Sequence, residues 1–121
     1  MKYMLLIYED EKAWANFSEA DQKAMFGEYM QFTQSIRGSG HYQSGAPLQP
    51  TSAATSVRVR DGKRSVTDGP FAETREQLGG YYLVDAKDLD EAIGIAARIP
   101  GARTGAIEVR PIMPTPAPVP A

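Results

Sequence analysis

Two stretches of this chain are apolar on both faces that a β-strand presents, and they fix most of what it can fold into. In Lys2-Tyr3-Met4-Leu5-Leu6-Ile7-Tyr8 the even and odd positions are apolar alike, and Gly79-Gly80-Tyr81-Tyr82-Leu83-Val84 repeats the pattern. Successive strand side chains point to opposite faces, so strands of this composition need a cover on each side. At 121 residues the chain can bury one core without staples.

One cover comes from two amphipathic helices. The first starts at Ser18, a good N-cap, with Asp21 as a weaker form of the capping box. Met25, Tyr29, Phe32 and Ile36 recur at helical spacing, Phe26 and Met30 flank the stripe, and Gly38 and Gly40 end it. The second helix opens on Asp88 with Glu91, buries Leu89, Ala92, Ile93, Ala96 and Ala97, and stops at Pro100-Gly101. Glu9 to Phe17 reads as a polar connection, and His41 to Pro50 as an extended crossing segment. Ala106-Ile107-Glu108-Val109-Arg110 alternates as the last strand.

Between them lies the clearest local signal. Ser56-Val57-Arg58-Val59-Arg60 alternates, Asp61-Gly62 turns, and Lys63-Arg64-Ser65-Val66-Thr67 returns. Asp-Gly between alternating runs favours a type I′ hairpin, with Arg60 opposite Lys63, Val57 opposite Val66 and Val59 opposite Arg64. The order strand, helix, hairpin, strand, helix, strand predicts a ferredoxin-like α+β fold, two helices on one face of a mainly antiparallel sheet. The other face still needs a cover. A second copy of the same sheet is the economical one, which predicts a symmetric homodimer.

Composition removes several functions. Thirteen basic against fifteen acidic side chains give a net charge of −2 with no basic stripe, so nucleic acid is not an expected partner. The absence of cysteine excludes disulfides, thiolate chemistry and cysteine-bound metal. Glu9, Asp10 and Glu11 are clustered, but with one histidine and no EF-hand spacing no metal site is expected. Gly79-Gly80 lacks the strand–GxGxxG–helix setting and no Gly-x-Ser-x-Gly elbow occurs, so no cofactor is implied. The N-terminal apolar run ends at Glu9, too short for a secretory leader or a membrane span of about 20 residues. It reads as the first strand of a cytoplasmic protein. The domain is expected over residues 1–113. Residues 114–121, with proline at every second position, are expected to form an extended mobile tail.

The segment Thr67-Asp68-Gly69-Pro70-Phe71-Ala72-Glu73-Thr74-Arg75-Glu76 is the most distinctive in the chain. Together with the Val57–Lys63 run, the opening strand, Gly79-Gly80-Tyr81 and Val109-Arg110-Pro111, it resembles the DGPF-domain proteins, a branch of the YCII-related superfamily, over roughly residues 1–113. That resemblance implies a dimeric α/β-barrel form of the ferredoxin-like fold, and for some members a partnership with extracytoplasmic-function sigma factors. The wider superfamily is similar to small dimeric enzymes and carries a His–Asp pair, its histidine on the first helix. At that position, counted back from Gly40, this chain has Tyr29, and its sole histidine, His41, falls beyond the helix, so the pair is not carried over.

Asp68 is the leading candidate for chemistry. In an apolar cleft its pKa would rise and it could act as acid or base; in a turn it would accept backbone N–H bonds while Phe71 anchors the loop in the core. Glu73, Arg75 and Glu76 can bind an ionic ligand, Arg75 as a fork, or pair with one another at the surface. His41 is the only side chain of a type whose unperturbed pKa lies near neutrality, but it also suits a helix C-terminus, and Tyr29 can hold its hydroxyl at a cavity edge. Tyr8 and Trp14 can line a pocket mouth. Turn chemistry outweighs convergent catalytic groups, so the sequence points to a small binding or accessory module with a small-molecule or protein partner. Its rivals are a cofactor-free enzyme using Asp68 with Tyr29, His41 or Arg75, and a purely structural dimer.

Overall fold

The first strand, β1 (Lys2–Glu9), runs through the middle of a four-stranded antiparallel sheet in the computed structural model, which describes residues 1–115. Its odd residues Tyr3, Leu5 and Ile7 are buried, while Met4, Leu6 and Tyr8 are only half-buried. A short helix α1 (Glu11–Ala15) follows, capped by Asp10, whose carboxylate accepts from the Lys12 N–H. The stretch that by composition reads as a polar connection is thus helical in part. Trp14 here packs against Phe17, tilted, and Phe26, edge to face, with ring centroids 5.4 and 6.3 Å apart.

Helix α2 (Glu19–Gly38) begins where the capping pattern places it, the Ser18 hydroxyl accepting from the Asp21 N–H at 3.0 Å. Of its apolar stripe, Phe32 and Ile36 are buried, while the flanking Phe26 and Met30 are exposed. The chain then forms β2 (Tyr42–Pro47), the hairpin β3 (Thr55–Arg60) and β4 (Lys63–Asp68), strand β5 (Gln77–Asp85), helix α3 (Leu89–Ala97) and β6 (Ala106–Pro111). The Asp88 carboxylate accepts from the Glu91 N–H at 2.9 Å and caps α3. The buried face of α3 differs from the one expected. Ala92, Ile95 and Ala96 are buried, whereas Leu89 and Ile93 are exposed. The helix is rotated so that Ile95 and, beyond its end, Ile99 reach the core.

The strand order is β2-β5-β1-β6, and all three pairings are antiparallel. Both long helices contribute to one core cluster with Tyr3, Leu5, Ile7, Tyr82 and Val84, so they share one sheet face. The chain is therefore α+β, with three helices and an antiparallel sheet, an arrangement compatible with a ferredoxin-like fold. Its edge strand β2 comes from the segment read as a crossing. The hairpin has the expected register, Val57 opposite Val66, Val59 opposite Arg64 and Arg60 opposite Lys63, and positive φ at Asp61 (52°) and Gly62 (73°). It does not join the sheet; it forms a separate two-stranded ribbon. No helix among the described residues is long and apolar enough to cross a membrane. Of the proline-rich tail, residues 116–121 lie outside the described residues.

Candidate functional site

Everything between β2 and β5, the hairpin included, rises from the end of the sheet where Tyr8 and Leu78 sit paired. The two sides of this insertion are tied at the root of the hairpin. The Gly69 N–H donates to the Ala54 carbonyl at 2.7 Å, and the Ser56 hydroxyl donates to the Gly69 carbonyl at 2.8 Å. Below the root, Glu11 acts as a clamp: its carboxylate accepts from the Thr51 N–H (2.8 Å) and the Thr51 hydroxyl (2.7 Å), and its own N–H donates to Gln77 Oε1 (3.0 Å). A charged acceptor holding two donors is among the stronger hydrogen-bond arrangements. It fixes residues 50–53 against the start of β5.

These ties frame an open groove of about 680 Å3. Leu48, Pro50, Pro70, Phe71, Leu78 and Tyr8 supply much of its apolar wall, with the hydroxyls of Thr51, Thr55, Ser56 and Thr74 among the polar lining. That volume falls within the range of small-molecule sites, and the mixture of apolar wall and a few fixed polar groups is their usual character.

The sequence-derived candidates divide sharply at this groove. Phe71 and Glu76 line it, as does Tyr8. Phe71 does not anchor the loop in the core; it is 80% exposed, because Pro70 and the root bonds hold the backbone outward and leave the ring on the groove's rim. Glu73 and Arg75 are exposed and outside the groove's lining, with no ion pair to each other or to Glu76 among the described residues. Asp68 is the last residue of β4, opposite Thr55 in the ribbon, exposed and likewise outside the lining. Trp14 belongs to the aromatic cluster on α1 and α2.

Tyr29 sits elsewhere. Its hydroxyl accepts from the Gly101 N–H at 3.1 Å and lies against the Glu9 carboxylate. Burial, and then the Glu9 charge, push this phenol far above its ordinary pKa, so it stays protonated. Burial also pushes the Glu9 carboxyl up, and the Tyr29 hydroxyl offsets part of the effect. Glu9 is a residue that sequence reasoning read only as one of three clustered acids. The three in fact diverge: Glu9 toward Tyr29, Asp10 to the cap of α1, Glu11 to Thr51.

His41 forms a third, separate arrangement. The Ser39 hydroxyl lies 2.7 Å from Nδ1, and Nε2 donates to Glu91 Oε1 at 3.0 Å. The same Glu91 oxygen accepts from the Lys87 N–H at 3.1 Å. The histidine thus clasps the end of α2 to the start of α3. Glu91 was legible as a capping residue, but its contact with His41 spans fifty residues of sequence and left no local signal. No hydrogen bond joins any two of Asp68, Tyr29 and His41 among the described residues.

Of the perturbed carboxyls, Glu91 and Glu9 have opposite consequences for stability. Glu91 is held below the usual range, chiefly by the Lys87 N–H and then by His41. Glu91→Gln is therefore expected to be less stable than the wild type at neutral pH. That difference is present above the ordinary carboxylate value of 4.5 and is lost as pH falls through the lowered folded value. Glu9 is raised, so the stability given by its protonated form is present below 4.5 and lost as pH rises through the folded value. Glu9→Gln is expected to keep that stability at neutral pH. Denaturant midpoints of both variants at neutral pH and in mild acid test the pair, and shifts of the same sign at neutral pH would contradict it.

The family model described as the YCII-related domain matches residues 1–116. A Rhizobium meliloti protein, named Uncharacterized protein R00369, is 38% identical to this chain over 114 residues, 93% of this chain and 92% of that protein.

Proposed function

The chain belongs to the YCII-related family, and from that premise we propose that it is a small dimeric binding module whose groove beside the Asp68–Glu76 loop holds a small, largely apolar molecule without turning it over. The observation that carries this reading is the composition of the groove. Tyr8 and Glu76 are its only titratable lining side chains among the described residues, and the rest is carbon and uncharged polar groups on a wall pinned by Glu11. Acid–base catalysis needs a donor or acceptor with a tuned pKa within reach of the substrate. Asp68 stands outside the lining, and the perturbed Tyr29–Glu9 pair is occupied with Gly101.

The dimer reading is supported by the other sheet face. Met4, Leu6, Tyr81 and Leu83 lie on the side away from both helices, and β1–β5 pairing sets them side by side, Met4 opposite Leu83 and Leu6 opposite Tyr81. Two such faces packed together bury four large side chains from each copy in the manner of a dimeric α/β barrel.

A panel of small aromatic and aliphatic compounds, screened by thermal shift and mapped by NMR, tests the binding reading. At least one compound is expected to stabilise the protein saturably and perturb Leu48, Thr51 and Leu78. Phe71→Ala, at an exposed position, is expected to weaken it about tenfold, ~1.4 kcal/mol, with little effect on folding. Asp68→Asn is expected to bind unchanged. Turnover of any compound by the wild type that is abolished in Asp68→Asn would establish the enzyme instead.

A further inference from the structure

The groove beside the Asp68–Glu76 loop has one charged side chain in its lining among the described residues, and it is an acid, Glu76. The Glu76 carboxylate enters no ion pair and no hydrogen bond there; only its backbone carbonyl is engaged, accepting from the Thr74 hydroxyl. Arg75, its neighbour in sequence, is exposed and outside the lining. The ribbon of β3 and β4 stands clear of the four-stranded sheet as a free arm. Its root, Thr55 and Ser56, lines the groove, whereas its cations Arg58, Arg60, Lys63 and Arg64 lie further along it. The hydroxyls of the lining add to this polarity. Thr51 donates to the Glu11 carboxylate, Ser56 to the Gly69 carbonyl and Thr74 to the Glu76 carbonyl. Each has spent its one hydrogen on the protein and offers a ligand only lone pairs. Thr55, Tyr8 and Gln49 keep uncharged donors, which can serve a neutral oxygen but leave an anion's charge uncompensated.

We propose that the groove selects a small organic cation, an ammonium group on an aromatic or aliphatic body, over a carboxylate or phosphate of the same shape. This rests on the binding reading above and names the chemical class of its ligand. The body lies against the apolar wall of Leu48, Pro50 and Leu78, and the ammonium takes Glu76 as its counter-charge. Lone pairs of the spent hydroxyls complete its hydrogen bonding. The Phe71 ring, 80% exposed on the rim, offers a face whose quadrupole attracts a cation. On the opposite wall the Glu11 carboxylate, bonded to Thr51, adds to the negative potential. In an open groove an ion pair and a cation–π contact are each modest, and salt screens them. An anion forgoes both and meets repulsion as well. The selection is therefore largest between matched ligands of opposite charge.

Phenethylammonium, phenethyl alcohol and hydrocinnamate share a phenyl ring on a two-carbon spacer and differ in charge, so they make the test. Dissociation constants come from NMR titration of the full-length protein at neutral pH and low ionic strength. Phenethylammonium is expected to shift Leu48, Thr51 and Leu78 and to bind about tenfold more tightly than hydrocinnamate, with the alcohol between them. Glu76→Gln is expected to bring that ratio below about threefold while the alcohol binds as before, which also shows that the variant is folded. Asp68→Asn removes the same charge outside the lining and is expected to leave the ratio unchanged. A ratio under about fivefold in the wild type, or groove shifts from neutral compounds alone, overturns the charge selection and leaves the apolar-binding reading standing. A preference that survives Glu76→Gln, or that maps away from the groove, also overturns it. Absence of groove shifts from these three ligands and from the whole compound panel overturns the binding reading and the selection together.

Discussion

Leu6→Lys is expected to convert the proposed dimer into a folded monomer. Leu6 lies near the centre of the sheet face turned away from the helices, opposite Tyr81 on β5 and Glu108 on β6. In the isolated chain a lysine there is half in water, and its ammonium can pair with the Glu108 carboxylate across the strands, so the monomer loses little. Against a second copy the same ammonium would be stripped of water, at an effective cost of several kcal/mol. A loss of ~4 kcal/mol weakens association about a thousandfold. Sedimentation at micromolar concentration, with circular dichroism to confirm the fold, reads the result. A variant that stays dimeric would place the interface elsewhere.

Gly105→Ala is expected to be the most damaging single methyl in the chain. A Cβ at this position would fall deep inside the van der Waals envelope of the Tyr8 carbonyl oxygen, with the Tyr8 carbonyl carbon at 3.1 Å and Glu9 Cγ at 3.2 Å. The clash is with backbone, which cannot rotate aside. Relief requires β6 to draw away from β1 where Tyr8 pairs with Ala106, and it strains the Gly105 N–H bond to the Gly101 carbonyl. Overpacking of this kind costs about 3 kcal/mol, or roughly 10 °C in Tm for a domain of this size. Thermal unfolding measures it directly. A Tm within a few degrees of the wild type would show that the strands can separate here without penalty.

What the sequence disclosed follows the range of the interaction involved. The register of the hairpin was legible because a period of two and an Asp-Gly turn are set within a dozen residues. Ser18 and Asp88 announced their helices for the same reason. That the ribbon stands outside the sheet was not legible, since valines alternating with cations look alike in a sheet strand and in a free arm. The face of α3 was ambiguous because isoleucines occur on both candidate stripes, Ile93 on one and Ile95 on the other, and only packing against Phe32, Ile36 and Val84 decides between them. For the candidate site, Tyr8, Phe71 and Glu76 line the groove, whereas Asp68, Glu73 and Arg75 stand outside its lining. Its other wall, Leu48 to Thr51, has no composition that distinguishes it from any loop. Glu11 on Thr51, and Glu9 beside Tyr29, are meetings that only the folded chain makes.

The strands β2 and β5 pair directly, Pro47 with Gly80 and Ala46 with Tyr81, and the Leu48 N–H donates to the Gly79 carbonyl at 2.9 Å. Everything from Gln49 to Glu76 is therefore spliced between two strands that would meet without it. The entropy of closing such a loop grows only logarithmically with its length, so lengthening, shortening or rewriting the splice changes the free energy of the sheet little. A lineage could exchange this whole cassette, groove and arm together, and still inherit an intact fold.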